Sequence, residues 1–326
     1  MEFAFNIISL LVVSLAILVV DLAVAGVAAL FGASFKGVLV RGLWFMLLPW
    51  VAWVYGSVVE RNCFRVKRVE VESQALPASF DGYRVVQISD LHLLSFKGRG
   101  KALQHAVNKI NALDADAVVF TGDLVSYGHW ELDGLQYILE GVKAKDGIFS
   151  VLGNHDYGEY HRWSSPQERA EALEMLKRRE RNMGWHLLLN ENVPIVRGED
   201  TISILGVENI SGDRHFRTYG NLAEAMQGAD GAYKILLSHD PTHWRREVVG
   251  KSDIDLMLAG HTHAMQMIFF GWSPAALIYK EWGGLYIEGS QSLYVNRGLG
   301  QTVFKARIGA VPEITLIELK QKEWIL

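Results

Sequence analysis

The first 59 residues are almost uncharged, and this constrains the fold more than any other feature of the chain. Glu2, Asp21, Lys36 and Arg41 are the four charged residues there, whereas the other 64 of the 68 charged residues follow. In the later part about one residue in four is charged, which is ordinary for a soluble globular protein. The sequence therefore predicts an apolar membrane part over residues 1–60 and a soluble domain over residues 61–326.

Two apolar runs in the N-terminal part are long enough to cross a bilayer, which takes about 20 residues as a helix. We expect helices over residues 4–31 and 38–59 with a tight turn at 32–37. Pro49 is a candidate kink in the second helix. A cleaved signal peptide fits less well, because no basic segment precedes the first run. A buried hairpin of a soluble protein is the remaining alternative.

Basic residues at the ends of the runs predict the orientation of this hairpin. Lys36 and Arg41 lie in and just after the connecting turn, and the exit of the second run carries four basic residues between positions 61 and 68. Because basic residues favour the cytoplasmic side, the soluble domain is expected there. Asp21 is expected near a helix end or facing the second helix, the alternative being a functional intramembrane carboxylate.

Composition excludes several classes of protein. Half of the residues are hydrophobic, so the chain can bury a core and is not intrinsically disordered. A net charge of −4 argues against a general nucleic-acid binder, and no nucleic-acid partner is expected. Cys63 is the sole cysteine, which excludes an internal disulfide framework and a cysteine-rich zinc site.

The soluble part alternates short apolar runs with helical patterns, which favours an α/β fold with sheets packed together and helices outside. A helix is predicted over residues 100–113, because apolar side chains recur there at helical spacing, at Leu103, Ala106, Val107 and Ile110. A second helix is predicted over residues 167–183. The predicted strands cover residues 83–89, 117–121, 148–152, 201–207, 234–238, 255–259, 285–287, 292–295 and 313–319.

Polar clusters with oxygen and imidazole donors follow five of these strands. In chain order the clusters are Asp90-Leu91-His92, Gly122-Asp123, Gly153-Asn154-His155-Asp156, Ser238-His239-Asp240 and Gly260-His261-Thr262-His263. In an α/β fold such strand ends converge at one sheet edge. Donors of this kind without thiolates suit divalent cations such as Mn, Fe, Zn or Co. Any single cluster is most often an ordinary turn, but five in order predict a metal site.

These clusters, in this order, resemble the calcineurin-like metallophosphoesterases from about Tyr83 to Leu319. The stretch from Tyr294 to Gly300 is similar to the membrane-associated bacterial branch of that family. The resemblance implies a four-layer αββα sandwich, here preceded by a transmembrane helical hairpin. It also implies a multi-pass protein of the bacterial inner membrane with two divalent metal ions, Mn, Fe or Zn.

The resemblance further implies a role for each clustered residue. One metal would be held by Asp90, His92 and His263, the other by Asn154, His239 and His261, with Asp123 bridging them. A hydroxide between the metals would attack phosphorus, and His155 would contact the phosphate and protonate or stabilise the departing oxygen. Asp156 would be a carboxylate that orients an imidazole.

One departure from the family pattern concerns the last cluster. Relatives often have two glycines before the glutamine, whereas this chain has Ala264-Met265-Gln266. Bulkier residues there would thicken the strand expected after the ligands and narrow the substrate groove.

The residues that follow suggest a substrate class. Residues 267–287, which we call the apolar lip, are rich in aromatic and aliphatic side chains. They form either a hydrophobic hairpin in the core or an exposed lip turned toward the bilayer, where Trp, Tyr and Lys280 would suit the headgroup zone. The second reading predicts a phosphodiesterase or pyrophosphatase acting on a lipid-linked substrate such as UDP-diacylglucosamine. The alternatives are a broad-specificity phosphoesterase tethered to the membrane, or a membrane scaffold with a vestigial metal site.

Overall fold

The computed structural model describes residues 2–213 and 216–322. In this part of the chain the α-helices are α1 (Glu2–Leu30), α2 (Phe35–Gly42), α3 (Leu48–Val58), α4 (Gly100–Asn111), α5 (Gln136–Leu139), α6 (Pro166–Asn182) and α7 (Leu222–Ala225). The strands are β1 (Arg65–Ser73), β2 (Arg84–Ile88), β3 (Ala117–Phe120), β4 (Gly147–Ser150), β5 (His186–Leu187), β6 (Glu191–Arg197), β7 (Asp200–Gly206), β8 (Tyr233–Leu237), β9 (Leu256–Ala259), β10 (Gly284–Glu288), β11 (Gln291–Val295) and β12 (Glu313–Gln321).

Two N-terminal helical stretches, Ala4–Leu30 and Phe35–Asn62, are long and apolar enough to cross a membrane. Their apolar side chains are mostly exposed, unlike those of a core helix in a soluble protein. The second stretch is interrupted by a 3₁₀ segment at Leu43–Leu47, just before Pro49. Proline lacks an N–H and its ring crowds the carbonyl four residues earlier, which accounts for the break at this point.

The two helical stretches pack on each other through polar as well as apolar contacts. The Trp50 indole donates to Ser14 Oγ at 3.1 Å, and Ser14 Oγ donates to the carbonyl of Met46 at 3.3 Å. Asp21 lies against Gly42, where a Cβ would overlap its carboxylate. Asp21 therefore faces the second stretch, as the sequence suggested.

The rest of the described chain is built on two six-stranded sheets. Their strand orders are β1-β12-β2-β3-β4-β5 and β10-β11-β9-β8-β7-β6. Strands β2, β3 and β4 are parallel neighbours, with Ile88 paired to Phe120 and Phe120 to Ser150. Strands β7, β8 and β9 are likewise parallel. Each sheet therefore brings the carboxyl ends of several strands to one edge.

Three apolar clusters hold the layers together. Val85 and Val119 of the first sheet pack against Ile204 and Ile235 of the second, so the sheets lie face to face. The other face of the first sheet packs on α4 and α6. The other face of the second sheet is covered by α7 and a helical turn at Trp244–Val248. This is the predicted αββα arrangement, with a thin helical layer on the second sheet.

Candidate metal centre

All five polar clusters predicted to form the site meet at one end of the two sheets. Asp90 and His92 follow β2, Asp123 follows β3, and Asn154 follows β4 in the first sheet. The remaining histidines, 239, 261 and 263, follow β8 and β9 in the second sheet. The site therefore lies in the crevice where the carboxyl ends of strands from both sheets converge.

One group of donors consists of Asp90, His92 and His263. The Nε2 atoms of the two histidines are 3.1 Å apart, and His263 Nε2 is 3.3 Å from Asp90 Oδ1. The ring of His92 is fixed by a 3.1 Å contact between its Nδ1 and Ser126 Oγ. These three side chains, all buried, could hold one metal ion.

A second group consists of Asn154, His239 and His261. His239 Nδ1 lies 2.7 Å from the carbonyl of Thr121, which can only accept, so this nitrogen carries the proton. In the neutral ring Nε2 then presents a lone pair to Asn154 Oδ1 at 3.1 Å. His261 Nδ1 lies 2.9 Å from the same oxygen. One amide oxygen and two imidazole nitrogens thus converge, a donor set that could hold a second metal ion.

Asp123 connects the two groups. Its Oδ2 lies 3.5 Å from His92 Nε2 of the first group and 3.3 Å from His239 Nε2 of the second. Its Oδ1 accepts the backbone N–H of His155 at 2.9 Å, which fixes the carboxylate. One oxygen thus faces donors from both groups, as a bridging ligand must.

The backbone of these loops is strained where the donors turn inward. Asp90, His92, Asp123, His261 and His263 all have positive φ, between 41° and 70°. Residues other than glycine adopt this left-handed backbone conformation at a cost of roughly 1–2 kcal/mol each. Residues strained in this way cluster at functional sites.

Close packing of the loops also requires glycine. A Cβ at Gly153 would overlap the carboxylate of Asp123, and a Cβ at Gly260 would overlap Ser89 and Asp90. The glycines noted in the sequence clusters therefore allow the donor loops to approach each other.

The electrostatics of the site favour bound positive charge. Burial lowers the pKa of His92 to about 3, which keeps this ring neutral and able to act as a ligand. Burial opposes protonation of His239 too, but the adjacent Asp123 carboxylate outweighs it and raises the pKa of His239 to about 10. The position between Asp123, His239 and Asn154 thus attracts a proton when no metal is bound.

His155 and Asp156 lie beside the donors but make different contacts. His155 Nδ1 is 3.0 Å from the carbonyl of Ser126, so its proton is committed there and Nε2 is left for chemistry. The carboxylate of Asp156 accepts three backbone N–H groups, those of Asp123, Val125 and Gly153, at 2.8–3.0 Å. Asp156 therefore orders the donor loops, which corrects the expectation that it orients an imidazole.

Three residues that support the donors were not recognised in the sequence. Asn154 Nδ2 donates to the Tyr160 hydroxyl at 2.8 Å, which turns the amide oxygen toward the histidines. The Tyr279 hydroxyl lies 3.0 Å from His261 Nε2, leaving Nδ1 to face the site. Arg307 is fully buried and donates to the carbonyls of residues 297, 300 and 310, beside His263. No local motif marks them, because they reach the site through tertiary contacts.

The residues after the last cluster do not form the expected strand. Ala264, Met265 and Gln266 all have positive φ, 51°, 48° and 56°, within a short 3₁₀ segment at His263–Gln266. Left-handed backbone favours glycine. This explains in physical terms why glycines suit these positions and corrects the prediction of a thicker strand.

A pocket of about 510 Å³ opens above the donors. Its polar floor includes Asp123, Asn154 and His155, and its wall includes Phe5 of α1. The other lining residues are Tyr160, Phe216, His261, Thr262, His263, Met265, Gln266, Tyr279, Thr302, Val303 and Phe304. A larger groove of about 720 Å³ lies beside α6, but its lining contains none of the clustered donors.

Several of the most apolar residues of the apolar lip are exposed, which excludes a core hairpin for these residues. Phe270 and Leu277 are 109% and 79% exposed, and Phe269, Trp272 and Ile278 are 44–62% exposed. Other residues of the lip, including Ser273 and Ala275, are buried.

Comparison with known proteins identifies relatives of this arrangement. Residues 83–265 match the calcineurin-like phosphoesterase family. A zebrafish (Danio rerio) transmembrane protein with metallophosphoesterase domain is 32% identical over 85% of this chain, which spans 62% of that longer protein. The Bacillus subtilis metallophosphoesterase YkuE is 28% identical over 89% of this chain and 95% of its own length. The Chlamydia trachomatis UDP-2,3-diacylglucosamine pyrophosphatase LpxG is 30% identical over 82% of this chain and 93% of its own length.

The family match covers more than half of the chain and begins and ends at the site. It starts just before the strand that leads to Asp90 and ends just after His263, so it includes every clustered donor. The relatives of this chain include proteins named as transmembrane proteins. Together with the two apolar helices, this points to membrane association. The chain belongs to the calcineurin-like metallophosphoesterases and is a metal-dependent phosphohydrolase.

Proposed function

We propose that the protein is a membrane-anchored phosphoesterase that cleaves a phosphodiester or pyrophosphate bond in a lipid-linked substrate. The observation that carries this proposal is the composition of the pocket wall. Phe5 comes from an apolar helix, and Met265, Val303 and Phe304 extend the same apolar side above the donors. A polar floor beneath an apolar wall suits a phosphate group joined to an apolar chain.

The ligand assignment supports a two-metal centre within that pocket. Asp90, His92 and His263 would hold one divalent ion, Asn154, His239 and His261 the other, and Asp123 would be shared. Oxygen and imidazole donors suit Mn, Fe or Zn. When bound, the pair supplies activation of water and charge stabilisation of the phosphoryl oxygens.

The residues of the chain itself perform the remaining steps. The Ser126 carbonyl holds the Nδ1 proton of His155, so a second proton on Nε2 can pass to the departing oxygen. Asp156 keeps the loops of Asp123 and Gly153 together through their N–H groups. The apolar wall excludes water from the side of the pocket where a lipid chain would lie.

The contacts of the two apolar helices support a position of this pocket at the membrane surface. Residues 1–60 would form a two-helix hairpin, with residues 61–326 as the catalytic domain. Asn6 near the start of α1 and Gly56 near the end of α3 both contact the segment 303–307 at the pocket. The basic residues after the second helix favour the cytoplasmic face of a bacterial inner membrane.

The relative named UDP-2,3-diacylglucosamine pyrophosphatase suggests a nucleotide-linked lipid as the first substrate to test. Detergent-purified protein should hydrolyse bis-p-nitrophenyl phosphate with Mn²⁺ and lose this activity with EDTA. Asp123→Ala should abolish turnover, and His155→Ala should lower kcat roughly 10²–10⁴-fold while retaining bound metal.

The lipid step is tested by comparing UDP-diacylglucosamine with a soluble UDP-sugar that lacks acyl chains. A large preference for the acylated compound is expected. Equal turnover of both compounds would contradict the lipid assignment and indicate a broad phosphodiesterase tethered to the membrane. Absence of both metal and turnover in the folded protein would contradict the enzyme mechanism itself.

A further inference from the structure

The tip of the apolar lip is an exposed apolar surface that the proposed reaction does not use. It consists of Phe269, Phe270, Trp272, Leu277 and Ile278, which we call the lip tip, all 44% exposed or more. None of the five lines the pocket above the donors. Exposed apolar patches of this kind mark interaction sites.

The base of the lip is held firmly against the segment that precedes β12. Ile268 donates its N–H to the carbonyl of Ile308 at 2.8 Å, and Ile308 donates to the carbonyl of Gln266 at 2.9 Å. Ser273 Oγ, on the returning side, donates to the carbonyl of Ala264 at 2.6 Å. The lip tip therefore extends from a base that these hydrogen bonds hold in place.

The segment that braces the lip is also bound to both apolar helices. Asn6 Nδ2 donates to the carbonyl of Val303 at 2.9 Å, and the Lys305 N–H donates to Asn6 Oδ1 at 2.9 Å. The Arg307 N–H reaches the carbonyl of Gly56 at 3.4 Å. The side chain of Val303, beside the Asn6 contact, is also exposed.

We propose that the lip tip inserts into the headgroup–acyl boundary of the leaflet that the hairpin enters. This inference rests on the membrane anchoring in the proposed function. The segment 303–308 joins the base of the lip to both apolar helices through the hydrogen bonds given above. Trp272 suits the interface, and the exposed Lys280 suits anionic headgroups nearby. Insertion brings the opening of the pocket to the bilayer surface. The phosphate of a lipid then reaches the donors while the acyl chains of that lipid stay in the leaflet.

Depth-sensitive fluorescence quenching tests this insertion without requiring turnover. In a full-length Cys63→Ser background, Phe270→Cys and Leu277→Cys are each labelled with an environment-sensitive nitrobenzoxadiazole dye. The protein is placed in phosphatidylcholine–phosphatidylglycerol vesicles that contain either an acyl-chain nitroxide lipid or aqueous iodide. Val196→Cys is the matched control, because Val196 is 62% exposed and pairs with Thr201 at the start of β7, away from the strand ends that carry the site.

The labels at 270 and 277 should lose fluorescence with nitroxide lipid and resist iodide, whereas the label at 196 should show the reverse. The proposal is overturned if the labels at 270 and 277 are quenched by nitroxide lipid and by iodide to the same extents as the label at 196. Protection of both labels from both quenchers, as a second copy or a protein partner over the lip would give, also overturns it. Substrate preference is measured separately in detergent, so a failure of the lipid-substrate proposal is distinguishable from a failure of insertion.

Discussion

Asn154 illustrates how one hydrogen bond can decide whether an amide acts as a ligand. Its Nδ2 donates to the Tyr160 hydroxyl at 2.8 Å, which directs Oδ1 at His239 and His261. The Tyr160 ring also stacks on His155, with centroids 4.1 Å apart. The hydroxyl and the ring thus support two different parts of the site, and a substitution can separate them.

We expect Tyr160→Phe to weaken metal binding by about 10–100-fold, the usual effect of losing a partner of a ligand. The ring remains to stack on His155, so kcat of the metal-saturated enzyme should change little. Competition between protein and a chelator for Mn²⁺ measures the affinity. Tyr219→Phe is the matched control, because that hydroxyl contacts Glu159 instead. Equal affinities of both variants and wild type would contradict this role for Tyr160.

Glu180 is a fully buried acid in α6 whose protonation links stability to pH. Burial raises its pKa to about 7. The folded state therefore binds this proton more tightly than the unfolded state, and the free energy of unfolding falls as pH rises from about 4.5 to 7. The loss levels off above that range, at up to about 3 kcal/mol.

We expect Glu180→Gln to remove this fall in the free energy of unfolding with rising pH, since the amide is neutral at every pH. The difference in Tm between pH 5.5 and pH 8 should shrink in the variant, and the variant should gain stability relative to wild type mainly at pH 8. Thermal unfolding in detergent at both pH values measures it. An unchanged pH dependence would show that Glu180 is ionised in the folded protein.

At the scale of elements, the turn after His263 departs most from what its side chains prefer. Met265 lies at φ 48° and ψ 27°, where glycine is favoured and β-branched residues are strained. We expect Met265→Val to lower the free energy of unfolding by roughly 1–2 kcal/mol. Met265→Gly should stay within about 1 kcal/mol of wild type, since relief of strain offsets its greater unfolded-state entropy. Equal Tm values for the two variants would contradict strain at this position.

The elements recognised from sequence are those with a strong local pattern. The nine predicted strands and both predicted helices of the soluble part are present, with ends shifted by a few residues. Strands β1, β5 and β6 were missed. Strand β1 is rich in charged residues because it lies at the sheet edge, β5 has two residues, and β6 contains Pro194 at the other sheet's edge.

The same distinction separates the site residues that sequence can suggest from those that it cannot. The metal-ligand candidates follow apolar strands within a few residues, so a parallel sheet necessarily brings them to one edge. Tyr160, Tyr279 and Arg307 belong to no such pattern. Arg307 is distant in sequence from every donor and is defined only by the carbonyls that surround its guanidinium.

At the scale of the whole molecule, the two apolar N-terminal helices contact the pocket directly. Phe5 lines the pocket, and a Cβ at Gly56 would overlap the backbone of Arg307. Asn6 is fully buried where α1 meets the segment 303–305, and it also accepts the Trp53 indole N–H at 3.1 Å. The two apolar helices thus fix one wall of the site.

We therefore expect Asn6→Leu to impair catalysis on a membrane-bound substrate while leaving the metal centre intact. The substitution keeps an apolar helix but removes two hydrogen bonds to the pocket segment, each worth about 0.5–1.5 kcal/mol. It also removes the bond from the Trp53 indole within the hairpin. The segment 303–305 is then no longer held against α1. KM for the lipid substrate should rise several-fold, with Mn²⁺ content and membrane insertion unchanged. Ser14→Ala is the matched control, because Ser14 bonds to Met46 and Trp50 within the hairpin. An equal rise in KM for both variants would attribute the effect to hairpin packing, and an unchanged KM in Asn6→Leu would show that the wall is held without the membrane helix.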